Sequence, residues 1–285
     1  MHFIFFKHKV LLVVVFFMLF KFGSAQINEL PEEMKGKVKS VFSRAYSAKN
    51  ENGKLVADLP IYSYEYNFRK IFDENLNLKF HYNMGKDTNI LSVIEYKDEP
   101  IKGNKTIKVT DKDGKIIKRT VCNCDQKMAP KYCISINNLS GERDTTISKF
   151  DESDRIVFKT VKSSNPFLSQ RIEYLYDKHN NIIELKVFDI NNSLTEHYIN
   201  SYNTNNQRTE EFANFVKDSI SKKNVFTYDV KGNIIKTESF QTNGKPQSFW
   251  NFEFVYDNNG NWTQMIVSKK DKPRMIVKRN FEYYK

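Results

Sequence analysis

Few residues in this chain carry recognisable chemistry, and the cysteines are the most informative of them. Cys122, Cys124 and Cys133 are confined to one segment, VCNCDQKMAPKYC. A structural metal would need a fourth ligand of the Cys or His type. The nearest histidines are His81, 41 residues before Cys122 (122 − 81), and His179, 46 after Cys133 (179 − 133). No metal and no cofactor is therefore expected. Oxidation is the better use of these thiols outside the cytoplasm, as a disulfide between Cys122 and Cys133 or between Cys124 and Cys133. With three cysteines, one thiol must be left over.

The other candidates are aromatic. Trp250, Trp262, Tyr174, Tyr228 and Tyr256 are of the type that stacks on sugar rings, and the same types fill the buried face of strands. His81, His179 and His197 share no spacing, and pairs such as Glu210-Glu211 cannot be set across a cleft from sequence. There is no glycine-rich phosphate loop, no Gly-x-Ser-x-Gly elbow and no His-Glu-x-x-His pair. These absences leave a catalytic residue set unassigned.

The elements that must position these side chains are legible from a repeated phrase. Tyr228-Asp229-Val230-Lys231-Gly232-Asn233 returns as Tyr256-Asp257-Asn258-Asn259-Gly260-Asn261. An aromatic, an acid, two variable residues and Gly-Asn describe a hairpin turn. Asp229 and Asp257 bond the backbone ahead of them, and Gly232 and Gly260 supply the left-handed conformation. Counting back from Tyr228 in steps of 26 residues reaches Tyr202, Tyr176 and Phe150, passes through positions 124 and 98, and reaches Phe72 and Tyr46, while the last step, Tyr228 to Tyr256, is 28 residues. A second column of turn residues lies half a period away, as in Asp113-Gly114, Asn191-Asn192 and Asn243-Gly244. Six of the seven prolines fall at these turns, where a missing N–H breaks no ladder.

The segments between turns alternate. A four-residue turn would put Tyr174 opposite Ile183 and Ile172 opposite Leu185. In the last hairpin, Trp250, Phe252 and Phe254 lie on the same side as Met265 and Val267. The other side carries Glu173, Glu184, Lys186, Glu253 and Gln264. This predicts an all-β antiparallel meander of about eighteen strands, curled into an open shell or partial barrel because twist accumulates. Helical spacing occurs only at Leu30, Met34, Val38 and Val41, which predicts a short leading helix. A lipid-spanning barrel is not expected, since Arg208, Glu210 and Glu211 charge both faces of one strand.

The Tyr-Asp-x-x-Gly-Asn phrases at Tyr228 and Tyr256 resemble the YD repeats of the bacterial Rhs family, and of small exported YD-like proteins of Bacteroidetes. The resemblance implies a curled β-shell and hints at carbohydrate binding. Full Rhs proteins also carry an autoproteolytic Asp-Pro core and a toxin tip. This chain has no Asp-Pro pair, and its sequence stops at Tyr283-Tyr284-Lys285, so no toxin role is expected.

Residues 1–25 read as an export signal: Lys7 and Lys9, the apolar run Val10 to Phe20, then Gly23-Ser24-Ala25. Residues 26–45 would be a lead-in and 46–285 the repeat domain, with its cysteine loop at 122–133. Loss of Lys7, Lys9 and Lys21 would lower the formal charge from +11 to +8 (11 − 3). That charge is well mixed, so it reads as a solvated surface, with no nucleic-acid partner expected and no transmembrane span in the mature chain. The expectation is an exported, non-enzymatic binding or structural module of the bacterial envelope, periplasmic or at the cell surface. Its partner would be an envelope glycan or protein. The rival reading is a carbohydrate-active enzyme with its site on the concave face.

Overall fold

A computed structural model of the chain describes residues 34–99, 103–125 and 129–285. Nineteen strands follow one another in a single antiparallel sheet. They are β1 (Val38–Glu51), β2 (Lys54–Pro60), β3 (Phe68–Phe72), β4 (Leu78–Met84), β5 (Ile90–Glu99) and β6 (Asn104–Asp111). Next come β7 (Ile116–Cys124), β8 (Pro130–Asn137), β9 (Arg143–Phe150), β10 (Ile156–Ser163), β11 (Gln170–Tyr176) and β12 (Ile182–Asp189). The last are β13 (Leu194–Tyr202), β14 (Arg208–Phe215), β15 (Ile220–Tyr228), β16 (Ile234–Gln241), β17 (Pro246–Tyr256), β18 (Trp262–Lys269) and β19 (Lys272–Tyr283).

The sheet closes. β1 pairs with β19 from Val38↔Tyr283 to Ser47↔Met275. On its other edge β1 pairs with β3 through Ser40–Ser43 and with β2 beyond Tyr46. β2 is thus a flap beside the long end of β1, and the remaining strands form an eighteen-stranded barrel. Closure pairs both edges of every barrel strand, whereas the β2 flap is in register with β1 on one edge.

The leading helix is not formed over its described part, because Val38 and Val41 lie in β1; residues 30 and 29 fall outside the described residues. An isolated short helix satisfies only its own backbone. The same segment as a strand bonds β19 on one edge and β3 on the other. A register shift between Val38 and Ser40 accommodates the uneven apolar spacing. Tyr46 likewise sits within β1, opposite Ile276, rather than opening a turn.

The turns explain a second difference. Asp229 N donates to Asn233 O at 2.9 Å and Gly232 N donates to Asp229 O at 3.1 Å, with Gly232 at φ 88°. That is a tight turn followed by a one-residue bulge, and the register shifts there between Thr227 and Tyr228. In the β11–β12 hairpin a five-residue turn (177–181) and the same one-residue bulge together put Tyr174 opposite Leu185 and Ile172 opposite Val187, two residues beyond the expected partners. A slip of two keeps every side chain on its own face, so the apolar side is unchanged.

At this rim the tyrosines tie each repeat to the one before. Tyr176, Tyr202 and Tyr228 donate through their hydroxyls to the carbonyls of Ile156, Ile182 and Arg208 at 2.8–2.9 Å. Tyr256 and Tyr283 reach the turn carboxylates of Asp229 and Asp257, each at 2.5 Å. Tyr284 donates to Phe72 O at 2.8 Å, which joins the end of the sheet to its beginning.

Cys122 and Cys133 are directly opposed on β7 and β8 and form a disulfide, with a Cα–Cα distance of 4.0 Å. Cys124 is the buried free thiol, and burial pushes its pKa up. Alkylation of the denatured, unreduced protein should therefore label one thiol, and Cys124→Ser should reduce that count to zero. Labelling of all three cysteines would contradict the pairing.

Candidate functional site

Burial separates the two walls of the barrel. Ile172, Leu185, Val187, Tyr198, Ala213, Met265, Val267 and Val277 are all buried and share one face of the sheet. The opposite face carries ion pairs in open positions: Glu95–Lys108, Glu173–Arg171, Glu184–Lys186, Glu210–Lys223 and Glu238–Lys236, at 2.6–3.0 Å. The first is the inner wall and the second the outer. A barrel of this strand number encloses more space than its own side chains fill. In keeping with that, Tyr174, Trp250, Phe252 and Phe254 on the inner wall are half-buried rather than buried.

The structure separates the five aromatic candidates. Trp262 is buried in the seam of the barrel, 3.4 Å beneath the Arg279 guanidinium and beside Phe254. Tyr228 and Tyr256 are committed to the turns, and Lys231 caps the Tyr256 ring at 3.6 Å. Trp250 and Tyr174 present rings to the interior, but on β17 and β11, which are not neighbours. Asp229, Gly232, Asp257 and Gly260 are turn residues, with Gly260 at φ 85°.

The turn carboxylates are acidic for a local reason. Asp73 accepts from the backbone N–H groups of Asn75 and Asn77, and these bonds with nearby Lys79 lower its pKa to about 2. Asp151, Asp177 and Asp189 are lowered by the same kind of bonding. For Asp229, burial pushes the pKa up, but Tyr256 and the turn N–H groups outweigh it and the net shift is down. Since the folded pKa values lie below the unfolded ones, this stabilisation is complete above the ordinary carboxylate range and is lost as pH falls through the folded values. The melting temperature should hold down to about pH 4 and then fall steeply toward about pH 2, read by circular dichroism. A melting temperature insensitive to pH across that window would contradict the role of the carboxylates.

What sequence reading missed is a polar cluster on the inner wall of β13, β14 and β15. Glu211 is buried and accepts from Arg208 Nη1 at 2.5 Å and from Asn224 Nδ2 at 2.8 Å. Tyr198 Oη donates to Glu196 Oε2 at 2.5 Å, and Asn200 Nδ2 donates to Ile182 O at 2.9 Å. Burial raises the pKa of Glu196 and Tyr198 and lowers that of Lys222. The register arranges the wall in rows. Asn200, Glu211, Asn224, Ser239 and Ser248 follow one another across five strands, beside a row of Phe226, Thr237 and Trp250. The available signal was charge at alternate positions such as Glu211, but only the pairing of neighbours turns it into a surface. An open hollow of about 570 Å³ on β15 to β17 is lined by Asp229 and Tyr256 and by the outward-facing Thr227, Lys236, Asn251 and Glu253, so it is not part of this inner-wall row.

No protein-family model matches the chain, and no curated protein does. Among solved structures it is similar to a porin-like protein from Bacteroides uniformis, with 7% identity and a TM-score of 0.48, covering 87% of this chain and 98% of that one. A Photorhabdus luminescens Tc holotoxin pore is similar at 10% identity and TM-score 0.19; the match covers 82% of this chain and 18% of that one. A putative outer membrane lipoprotein-sorting protein domain from Vibrio parahaemolyticus gives 12% identity and TM-score 0.22, covering 90% of each chain.

Proposed function

We infer that the chain is an exported, non-enzymatic β-barrel whose inner wall binds a glycan of the cell envelope. The observation that carries this reading is the pair of adjacent rows, one of amides, hydroxyls and a carboxylate, the other containing Phe226 and the half-buried Trp250. Sugars present hydroxyl edges and apolar faces, and such a wall offers a partner to each. The disulfide supports export, because such bonds persist in oxidising compartments. The repeated Asp turns, each with a left-handed residue at its end, support kinship with YD-repeat shells. The ion-paired outer wall speaks for a barrel that does not span lipid, which would need an outward apolar band.

Glu196 and Glu211, the carboxylates of the polar cluster, are poorly placed as a pair for glycoside hydrolysis. Glu196 lies opposite Phe215 and Glu211 opposite Asn200, so the two are four residues apart along the ladder, roughly 13 Å. Glycosidase pairs stand roughly 5–10 Å apart. Titration calorimetry against a panel of envelope oligosaccharides tests the proposal. Binding should weaken about tenfold in Trp250→Ala, and no reducing ends should be released. A panel without a binder, or equal affinity in Trp250→Ala, would refute the glycan reading; turnover of any member would refute the non-enzymatic one.

A further inference from the structure

The outer wall is ion-paired on β5, β6, β11, β12 and β14 to β16, and the sector formed by β7, β8 and β9 is different. Three cross-strand rows face outward there. Ile136 stands between Arg119 and Arg143; Val121, Ile134, Thr145 and Lys162 form the next row; Tyr132 and Ile147 are opposed in the third. Val121, Tyr132, Ile136 and Ile147 are 37–42% exposed, which makes a continuous apolar patch rather than isolated side chains. The cations around it are Arg119, Arg143, Lys149 and Lys162. Among the described residues none of these four has a carboxylate within ion-pair distance, although Lys149 also lies 5.5 Å from the Phe158 ring. Behind the patch, the Cys122–Cys133 bond locks β7 to β8, so the surface is preformed.

We propose that this sector of the outer wall docks on an anionic lipid surface. The charge pattern selects the occupant. The cations Lys108, Arg171, Lys186, Lys223 and Lys236 of the outer wall are met by carboxylates of the chain itself, whereas this cluster of four is left to an external anion. They surround the apolar centre instead of forming a line. A layer of anionic headgroups meets cations at any spacing, while the aliphatic side chains and Tyr132 enter the boundary between headgroup and acyl chain. The chain's formal charge of +11 adds long-range attraction to the same surface.

Flotation of the full chain with vesicles of phosphatidylcholine, with and without phosphatidylglycerol, tests this. Every variant carries the same N-terminal segment, so differences between variants report the patch. The wild-type chain should float preferentially with the phosphatidylglycerol vesicles, and added salt should weaken that binding. The variant Arg119→Ser/Arg143→Ser/Lys149→Ser should lose about tenfold or more in partitioning, and Ile136→Ser/Ile147→Ser should also bind less. The control Lys223→Ser/Lys236→Ser, taken from an ion-paired sector, should float like the wild type. Equal flotation of the wild type and the cation-depleted variant, or an equal loss in the control, would overturn the proposal. So would retention on polyglutamate beads without vesicle binding, which would assign the patch to an acidic protein.

Discussion

Asn67→Ala is expected to destabilise the barrel by about 3 kcal/mol. Asn67 is buried at the point where the chain leaves the β2 flap and enters β3. Its Oδ1 accepts from Ala45 N at 2.8 Å, and its Nδ2 donates to Ile61 O at 2.8 Å. Both backbone groups lie where β1 passes from one edge partner to the other, so no strand supplies a substitute. Truncation would leave a donor and an acceptor unpaired beside the core cluster of Ala45, Trp262, Met265, Val267 and Val277. In urea unfolding the midpoint should fall with little change in slope. Asn75→Ala, an exposed turn position, should stay within about 0.5 kcal/mol of the wild type. A loss below about 1 kcal/mol for Asn67→Ala would show that water or a neighbour replaces the amide.

Gly232→Val is the second large effect, about 1–2 kcal/mol or more. Gly232 has φ 88°, and a β-branched side chain is poorly tolerated there. The space itself is open: a Cβ would meet Gln207 Nε2 at 3.6 Å. The cost therefore comes from backbone conformation and not from collision. Val230→Ala, two residues earlier and fully exposed, should cost no more than about 0.5 kcal/mol. Because each strand bonds its chain neighbours, hydrogen exchange in Gly232→Val should show protection lost first around residues 202 to 260. Uniform loss from β1 onward would mean that the barrel unfolds as one unit.

These two positions mark the division between what could be read and what could not. Gly232 was legible because a hairpin turn is a local object: an acid, its own N–H groups and a left-handed residue lie within five positions. Repetition of that object at a constant interval sufficed for the meander, the alternation of faces and the side on which Trp250, Phe252 and Phe254 lie. The exact partners of Tyr174 and Ile172 were missed, since a turn one residue longer and a one-residue bulge together displace register by two without changing the face.

Asn67 carried no such signal, because its partners are 22 and 6 residues away and belong to a junction that exists only once the sheet closes. Closure depends on β1 meeting β19, a pairing between the two ends of the sheet that no local pattern announces. The same holds for the sites. Sequence supplied the aromatic candidates and the cysteines, but only tertiary pairing buried Trp262, tied Tyr228 and Tyr256 to turns, and chose Cys133 as the partner of Cys122. It also assembled Asn200, Glu211, Asn224, Ser239 and Ser248 into one row. Period and turn chemistry are properties of a few consecutive residues, so the sequence alone determined the strands of the repeats and their faces, but not β1, whose helix-like spacing became a strand once β19 and β3 paired with it. Rows, seams and surfaces need residues far apart in the chain, and those are brought together only by the register and closure of the barrel.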